Sequence, residues 1–343
     1  MMTKRALVAL SGGVDSSAAA VLLQRSGYIC DGATLHLHDH SDEADARAAA
    51  EKLHMNFFVF DETVAFRRFV LDDFVSAYCA GLTPNPCIVC NRTLKFGTFL
   101  DRALNMGYDY IATGHYARVV QNPATGLYEL HRAADRSKDQ TYVLYQLTQR
   151  QLSHLLLPNG DYDKPTLRRL AEDAGLLNAQ KKDSQDICFI PDGDYVRFLE
   201  ENGVTLTPGN FVDKDGTVLG QHRGLPCYTT GQGKGLGIAL GRHVYVLAKN
   251  AADNTVTLGD NEDLFRTALT ARAVHWISGS TPDAPVRCTA KTRYSQQECA
   301  AVATPLPDDR IFVEFAQPQR AITAGQAVVL YNGDVVLGGG TIE

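Results

Sequence analysis

Three cysteines are the first residues whose spacing indicates chemistry. Cys87 and Cys90 form a Cys-x-x-Cys pair, and Cys188 lies far along the chain from both. In a reducing compartment such a pair favours redox, metal or sulfur chemistry over a structural disulfide. Because Cys188 is remote in sequence, it can meet the pair only if the fold brings the two segments together. Thiol chemistry is therefore a leading hypothesis for this chain.

The ionisation state of Cys90 is predicted from its sequence neighbours. The segment Thr83–Asn91 begins with two prolines separated by one residue and continues into a predicted helix that runs to Leu104. A cysteine near a helix start lies close to the positive end of the helix dipole, and Arg92 and Lys95 add positive charge nearby. Both effects stabilise a thiolate, so we predict that Cys90 is a nucleophile.

A metal centre is the alternative use of the same thiols. Cys87, Cys90 and Cys188 could together bind a four-iron four-sulfur cluster that leaves one iron free for hydrosulfide. Zinc is less expected, because no fourth Cys or His is obviously paired with them. The sequence leaves the choice between thiol and cluster chemistry open.

A glycine-rich turn near the N-terminus indicates a phosphate site. Ser11–Ser16 reads SGGVDS and lies between a predicted strand, 5–10, and a predicted helix, 16–26. Backbone N–H groups and the helix dipole bind anions at such a turn, and the glycines let phosphate oxygens approach closely. The turn lacks the Gly-Lys-Ser/Thr of a Walker A loop and the Gly-x-Gly-x-x-Gly of a dinucleotide fold. It resembles the PP-loop of ATP pyrophosphatases, which implies cleavage of ATP between its α and β phosphates.

The predicted ATP site includes this loop and two positions that follow strands. Leu35 ends the second predicted strand and Gly114 follows the strand 109–113, and ligands bind at the carboxyl ends of strands in such folds. Asp15 is predicted to help place a Mg²⁺ ion that neutralises the phosphates. For Leu35, plain core packing is the competing interpretation. The full set is Ala9, Leu10, Ser11, Gly12, Gly13, Val14, Asp15, Ser16, Leu35 and Gly114.

The elements that must position these groups change in character along the chain. Through about residue 205 short apolar strands alternate with helical patterns, which predicts an α/β fold with a doubly wound parallel sheet. Beyond that point Gly and Pro are frequent, and alternating segments rich in Val, Thr and Ile predict two small, mainly antiparallel β domains. We expect an ATP-binding domain with a helical extension at 1–205, a central β domain at 206–269 and a C-terminal β-barrel-like domain at 270–343.

Composition narrows the classes of function. The 343 residues carry 33 Lys and Arg against 39 Asp and Glu, a net charge of −6, so a nucleic acid must bind local basic patches. No stretch approaches the ~20 apolar residues that cross a bilayer, so we expect no membrane partner and a cytoplasmic location. The candidate basic patches are Arg92 with Lys95, Arg168 with Arg169, Lys181 with Lys182, and Lys291 with Arg293.

Eight segments resemble, in order and over essentially the whole chain, the tRNA 2-thiouridylase family. They read SGGVDSS, TPNPCIVCNRTLKFGTFL, ATGHYAR, KDQTYVLYQL, KKDSQDICFI, GLPCYTTGQGKGLGI, KTRYSQQECA and AGQAVVLYNGDVVLGGGTIE. Ordered agreement across three regions is more specific than the PP-loop alone. The resemblance implies a fold of the adenine nucleotide α hydrolase type, an enzyme that modifies tRNA, and a tRNA-binding role for the helical extension of the first domain.

The resemblance also implies a reaction. ATP adenylates the C2 oxygen of the wobble uridine in tRNAs for Lys, Glu and Gln, and sulfur replaces that oxygen with release of AMP and pyrophosphate. In that reaction Cys188 carries a persulfide supplied by a cysteine desulfurase or a sulfur-relay protein. Cys90 attacks or reduces the persulfide, sulfur passes to the base, and a Cys90–Cys188 disulfide remains. The alternative is the same thiolation with a cluster on Cys87, Cys90 and Cys188 that activates hydrosulfide.

The same resemblance implies contacts with the RNA. Asn85, Pro86 and Cys87 are expected beside a flipped-out target base. Two positions depart from the family pattern, which often has Asp where this chain has Cys87 and Arg where it has Gly233. The role of Cys87 is therefore open, and the loop 231–237 lacks one cation. The positions that match tRNA contacts of the family are His115, Lys138, Asp139, Gln140, Arg293, Tyr294 and Gln326.

Two other functions compete with thiolation. An amide-forming synthetase of the ATP pyrophosphatase class would leave the paired thiols without a role, and no glutaminase segment is visible in the sequence. A non-catalytic RNA-binding or Fe–S scaffold protein would need a vestigial PP-loop, whereas the SGGVDS string is intact. The thiolation enzyme is therefore the leading hypothesis.

Overall fold

The computed structural model of this chain describes residues 3–38, 43–176 and 187–343. A parallel sheet organises the first part of the chain, with strands in the order β3-β2-β1-β4-β7. A hairpin, β5 and β6, follows the fourth strand without joining this sheet. The strands are β1 (Arg5–Ala9), β2 (Ile29–His36), β3 (Phe57–Asp61), β4 (Tyr110–Ala112), β5 (Ala117–Gln121), β6 (Tyr128–Arg132) and β7 (Leu155–Leu156).

Helices cover both faces of this sheet. Val8 of β1 packs in a cluster that includes Ala20 and Ala50, whereas its neighbour Leu7 packs on the opposite side with Phe99. Adjacent side chains of a strand point to opposite faces, so a strand covered on both sides must be apolar throughout. The helices are α1 (Val14–Arg25), α2 (Ala44–Lys52), α3 (Thr63–Phe66), α4 (Asp72–Cys79), α5 (Pro86–Cys90), α6 (Phe99–Asn105), α7 (Gln149–Ser153), α8 (Lys164–Asp173) and α9 (Tyr195–Glu201).

The doubly wound α/β prediction is confirmed, with two local differences. The sequence pattern of 149–157 predicts one continuous helix, but α7 ends at Ser153, because Leu155 and Leu156 pair with β4 as the last strand of the sheet. The helix predicted from the Cys-x-x-Cys segment to Leu104 is helical throughout, but its middle, Asn91–Thr98, is π-helical. Such wide turns are rare and are found frequently at functional sites.

Two further β sheets follow. In the first, the order is β10-β11-β8-β9, and the pairs are antiparallel except for β8 with β11. Two small, mainly antiparallel β domains were predicted, and this prediction is confirmed. The strands are β8 (Gly209–Val212), β9 (Val218–His222), β10 (Tyr245–Asn250) and β11 (Thr255–Gly259) for the central sheet, and β12 (Phe265–Trp276), β13 (Val286–Lys291), β14 (Cys299–Leu306), β15 (Arg310–Arg320), β16 (Ala327–Asn332) and β17 (Val335–Ile342) for the last one.

The last sheet closes into a barrel. Its strands follow the order β12-β15-β14-β13-β16-β17, and β17 pairs again with β12. The hairpin β5–β6 from the first part of the chain extends this sheet, because Val335 and Val336 pair with His131 and Leu130. Strand β12 runs across residue 269, the position at which we end the central domain, and the three-domain division at 205 and 269 stays a proposal.

Candidate active site

The loop after β1 has the geometry of an anion site. Gly12 adopts a φ of +74°, and a Cβ there would lie 2.9 Å from Cβ of Asp45, so glycine is required. The Ser16 hydroxyl accepts a hydrogen bond from the Ser11 N–H at 3.2 Å and donates to the Gly13 carbonyl at 2.9 Å. These local bonds hold the turn that precedes the first residues of α1.

The turn at Gly114 packs directly against this loop. A Cβ on Gly114 would lie 2.6 Å from both the Asp15 carbonyl carbon and the Ser16 nitrogen. Asn159 is fully buried and donates Nδ2 hydrogen bonds to the carbonyls of Asp15, at 2.9 Å, and Gly114, at 3.0 Å. Leu35 lies near the carboxyl end of β2, half-buried against the core of the sheet. The predicted ATP residues therefore meet at the carboxyl ends of β1, β2 and β4.

The carboxylate of Asp15 is already paired. Lys164 donates from Nζ to both Asp15 oxygens at 2.8 Å, and the buried Tyr116 hydroxyl donates to Oδ1 at 2.6 Å. Across the described parts of the chain, no three His, Cys, Asp or Glu side chains form a metal-binding group. Asp15 as it stands therefore does not fit the role of a resident Mg²⁺ ligand, and a Mg²⁺ ion would have to enter with the phosphates of ATP.

The site residues predicted from the sequence do not include Lys164, Tyr116 or Asn159. One signal was available for Lys164, which occupies the first position of α8, before Pro165. A cation at the start of a helix opposes the helix dipole, so a lysine there needs a partner or a function. For Tyr116 and Asn159, only the fold reveals the contact with Asp15.

The Cys-x-x-Cys segment starts a short helix. The Asn85 side chain caps α5 by accepting the Cys87 N–H at 3.2 Å, and Pro86 occupies the first helical position. Cys87 is exposed, whereas Cys90 retains only 6% of its exposed surface. The two thiols of the pair therefore face different surroundings although they lie three residues apart.

The fold brings Cys188 to this pair. Phe189 and Ile190 pack in the same apolar cluster as Cys90, together with Phe74 and Leu94. Burial raises the pKa of Cys90 to about 12, Lys95 opposes this effect, and Cys188 and Cys87 raise the pKa further. Desolvation likewise raises the pKa of Cys188, and Lys95 again lowers it. All eight cysteines are free thiols.

The predicted thiolate at Cys90 is wrong for this state of the protein. Cys90 is the last residue of α5 and is followed by further helical backbone, so it does not lie at the positive end of a dipole. Burial outweighs the charge of Lys95, which the sequence could suggest but not weigh. The six residues before Ile187, which include the Lys181–Lys182 pair, lie outside the described residues.

Among the described residues, the three cysteines are not arranged as ligands of an iron–sulfur cluster. Cys87, Cys90 and Cys188 all belong to the described residues, and among these no group of three potential metal ligands occurs. The three thiols influence one another through charge, but they do not fit a cluster in this arrangement.

His115 follows the Gly114 turn and lies within electrostatic range of Lys95. Its Nδ1 is 2.8 Å from the Thr113 hydroxyl, and its ring centre is 5.6 Å from that of Phe96. Burial lowers the pKa of His115 to about 3, and Lys95 lowers it further, so the imidazole is neutral at physiological pH. Lys95 thus acts electrostatically on His115, Cys90 and Cys188 together.

The segment 138–140 braces this region. Asp139 is buried and accepts hydrogen bonds from the Ala133 N–H at 3.0 Å and the Thr141 hydroxyl at 2.6 Å. The Gln140 side chain accepts the Tyr116 N–H at 2.8 Å, and Lys138 is half-buried. Both Asp139 and Gln140 therefore make internal contacts, and a role of this segment in tRNA binding stays a prediction.

The C-terminal barrel reaches the thiol loop. Gln326 donates from Nε2 to the carbonyls of Thr83 at 2.8 Å and Pro84 at 3.4 Å, just before Asn85. Arg293 points inward, and its Nη2 donates to the Ala321 carbonyl at 2.9 Å and to the Thr323 hydroxyl.

Tyr294 is the exposed barrel residue of this set. Its side chain is 45% exposed, and its ring centre is 6.0 Å from that of Tyr142. Burial of the hydroxyl raises its pKa, and Asp139 and Cys87 contribute to the rise. Tyr294 therefore lies near Cys87.

The central β domain also contacts the start of this loop. Lys249 of β10 donates from Nζ to the Tyr228 carbonyl at 2.8 Å and lies 3.5 Å from the Leu82 carbonyl. Burial lowers the pKa of Lys249 to about 8. The loop that leads to Cys87 is thus held by all three parts of the chain. Lys249 is not among the site residues predicted from the sequence.

A serine- and glycine-rich loop at the carboxyl end of the central strand of a parallel sheet, followed by two β modules, defines a PP-loop enzyme. The family model described as tRNA methyl transferase HUP domain matches residues 4–192. Those described as tRNA methyl transferase PRC-barrel domain and Aminomethyltransferase beta-barrel domain match residues 197–260 and 266–342. No described helix is long and apolar enough to span a membrane.

Full-length relatives define the family more closely. A tRNA-specific 2-thiouridylase MnmA of Acetivibrio thermocellus is 45% identical, over 100% of both chains. One of Clostridioides difficile is 44% identical, over 100% of this chain and 99% of its own. This chain therefore belongs to the tRNA-specific 2-thiouridylases, a family of tRNA sulfurtransferases. A solved 4-thiouridine synthetase–RNA complex with bound ATP is 14% identical, covers 58% of this chain and 50% of its own, and has a TM-score of 0.37.

Proposed function

We propose that this enzyme replaces the C2 oxygen of the wobble uridine with sulfur in tRNAs for Lys, Glu and Gln. The observation that carries the proposal is the arrangement around Lys95, whose charge acts both on His115, next to the phosphate-loop contact Gly114, and on the thiols of Cys90 and Cys188. The loop proposed to bind ATP and the two cysteines proposed to transfer sulfur, Cys90 and Cys188, are thus close neighbours. Membership of the thiouridylase family supports the same conclusion.

The first chemical step is activation of the base. The C2 oxygen attacks the α phosphate of ATP, the bond between the α and β phosphates breaks, and pyrophosphate leaves. In this proposal, backbone N–H groups of the loop Ser11–Ser16 bind the phosphates, and the start of α1 favours negative charge there. The product is a base whose C2 carries AMP as a good leaving group.

The second step is sulfur transfer. A cysteine desulfurase or sulfur-relay protein supplies a persulfide on Cys188, and Cys90 attacks the Cys188 sulfur. The sulfur–sulfur bond of the persulfide breaks, hydrosulfide leaves and attacks C2, and AMP departs. A Cys90–Cys188 disulfide forms, which a thiol reductant must reduce before the next turnover. Because Cys90 is protonated in the free protein, loss of its proton must accompany the attack.

The RNA contacts of the proposal centre on the start of α5. The target base would lie beside Asn85, Pro86 and the exposed Cys87. Tyr294, near Cys87 and almost half exposed, offers an aromatic face on which an unstacked base can pack. Gln326 acts in this scheme by holding the loop at Thr83 and Pro84.

Pyrophosphate release with unmodified tRNA tests the function. We expect ATP cleavage that depends on a tRNA with an unmodified wobble uridine, and 2-thiouridine in that tRNA when a persulfide donor is added. A tRNA of another amino acid serves as the matched control. Absence of tRNA-stimulated pyrophosphate release would contradict the enzyme hypothesis and favour an RNA-binding scaffold, and release stimulated by an amine without tRNA would favour an amide-forming synthetase.

A further inference from the structure

Lys164 is a buried cation to which the steps above assign no role. Its side chain is 9% exposed, and its Nζ lies 2.8 Å from Asp15 oxygens. The Asp15 side chain is 33% exposed, because it belongs to the phosphate loop. The ammonium group therefore reaches this loop from inside the protein.

Burial of this charge has little benefit for folding. A lysine at the first position of α8 opposes the helix dipole. The ammonium group of Lys164 also loses most of its hydration on burial, and its pairing with the partly exposed Asp15 regains little of that free energy. These two costs, at the wall of a phosphate loop, indicate that Lys164 serves binding or catalysis.

The partner of Lys164 is poorly suited to an anion site. Asp15 places a carboxylate in the first turn of α1, where a polyphosphate would be repelled. Lys164 neutralises this carboxylate in the free protein. Tyr116 donates a second hydrogen bond to Asp15, at 2.6 Å, so the carboxylate keeps a donor if the ammonium group moves away.

The packing around Lys164 fixes the backbone of α8 and of the phosphate loop, so movement at this site would be confined to the lysine side chain. Helix α8 packs on α1 through Leu167 with Ala18 and through Ala171 with Val14. Asn159 holds the loop and the Gly114 turn by their carbonyls. The flexible four-carbon stem of a lysine lets its ammonium group shift without movement of the helix.

We propose that Lys164 is the cation of the pyrophosphate subsite. ATP draws the ammonium group from Asp15 to the β and γ phosphate oxygens, and it stays with pyrophosphate when that group leaves. No covalent bond to the lysine forms or breaks, and the ammonium keeps its three protons. The inference rests on the proposed function, because it requires ATP at the loop.

Binding of ATP, pyrophosphate and AMP to the full chain tests this inference by calorimetry. Lys164→Met removes the ammonium group, so we expect ATP and pyrophosphate to bind about tenfold to a hundredfold more weakly, as for a lost charge-assisted hydrogen bond. AMP lacks the β and γ phosphates and should bind as in the wild type. Lys164→Arg should recover part of the loss. The control is Lys214→Met, since Lys214 pairs with Asp263 at 2.7 Å in the central domain.

A double variant separates phosphate contact from simple neutralisation of Asp15. We expect Asp15→Asn with Lys164→Met to bind pyrophosphate about tenfold or more weakly than Asp15→Asn alone. Equal binding by these two proteins would overturn the inference, and so would an equal loss for AMP and ATP in Lys164→Met. Should Lys164→Met not fold, Lys164→Gln carries the same comparison.

The wild-type measurement distinguishes this inference from the function on which it rests. A wild-type protein that does not bind ATP contradicts the proposed function. A wild-type protein that binds ATP, with unchanged ATP binding in Lys164→Met, contradicts only the role of Lys164.

Discussion

The phosphate loop and the thiol site are built in different ways. The loop Ser11–Ser16 joins consecutive elements, and its braces, Gly114, Asn159 and Lys164, come from the same α/β part of the chain. The thiol site combines α5 with the segment around Cys188, and the barrel and the central domain both hold the loop before it. The phosphate loop is therefore held within the α/β part of the chain, whereas the thiol site is held by contacts from all three parts of the chain.

The two sites also differ in how their charges are prepared. At the phosphate loop, Asp15 and Lys164 are paired and hydrogen-bonded. At the thiol site, Cys90 is protonated at neutral pH because burial outweighs Lys95. Under the proposed mechanism, the phosphate loop is therefore prepared for ATP, whereas Cys90 must lose its proton before it can attack.

The strongest test of this comparison is loss of one thiol. Cys188→Ser should lower 2-thiouridine formation by about a thousandfold or more, because the sulfur carrier is gone. Pyrophosphate release with tRNA should persist, since the phosphate loop is intact. Mass spectrometry of tRNA nucleosides and a pyrophosphate assay measure the two quantities. Cys79→Ser, at an exposed cysteine on α4, is the control, and retained thiolation in Cys188→Ser would refute the role of Cys188.

A clash at the phosphate loop should remove both activities together. Gly114→Ala places a Cβ 2.6 Å from the Asp15–Ser16 backbone, so the loop must shift. We expect pyrophosphate release and thiolation to fall by about a hundredfold, the cost of a misplacement near 1 Å.

The control for this variant is Gly126→Ala at the tip of the β5–β6 hairpin. It has a φ of +73° but no atom within 4 Å of an added Cβ. It should cost about 1 kcal/mol of stability and leave both activities unchanged. Loss of thiolation alone in Gly114→Ala would show that the two sites are less separate than their construction indicates.

The pH dependence of alkylation tests the state of Cys90. With a pKa raised to about 12, its thiolate fraction should increase about tenfold for each pH unit between 7 and 10. Iodoacetamide labelling of this cysteine, followed by peptide mass spectrometry, should show the same slope, with the exposed Cys87 labelled first. Lys95→Met should slow labelling of Cys90, because this cation lowers its pKa. A labelling rate that levels off near pH 8 would contradict the assignment.

The same shift has a consequence for stability. The folded protein raises the pKa of Cys90 from 9.0, so it favours the neutral thiol. This contribution is complete below about pH 9 and is lost as the pH rises towards about 12. Alkaline unfolding should therefore begin earlier in wild type than in Cys90→Ala, after correction for the cavity that the substitution leaves.

The smallest effect is expected where the barrel supports the thiol loop. Gln326→Ala removes the hydrogen bonds to Thr83 and Pro84, worth about 1 kcal/mol together, so thiolation should fall about fivefold. Thiolation at saturating tRNA measures this effect. Gln319→Ala, whose side chain bonds to Gln317 within the barrel, is the control. A large loss of tRNA affinity with an unchanged maximal rate would make Gln326 an RNA contact rather than a support.

Local patterns predicted most of the strands and helices, but they did not predict which tertiary partner a short apolar segment pairs with. The buried strand 5–10, the glycine-rich turn and the alternation of strands and helices follow from neighbouring residues, and the structure contains them. Leu155 and Leu156 read as the end of a helix, but edge pairing with β4 makes them a strand. Short apolar segments suit either structure, so the tertiary partner decides.

The sequence by itself determined the parallel sheet, the phosphate loop and which three cysteines are candidates for the thiol site. These follow from the periodicity of apolar residues, the glycine turn and the cysteine spacing, which are local properties. The tertiary structure decided that Lys164 pairs with Asp15, that Gln326 holds the loop before Cys87, and that Cys90 is protonated. Each of these depends on groups distant in sequence or on the removal of water, and a pKa or an ion pair takes its value from the surrounding atoms.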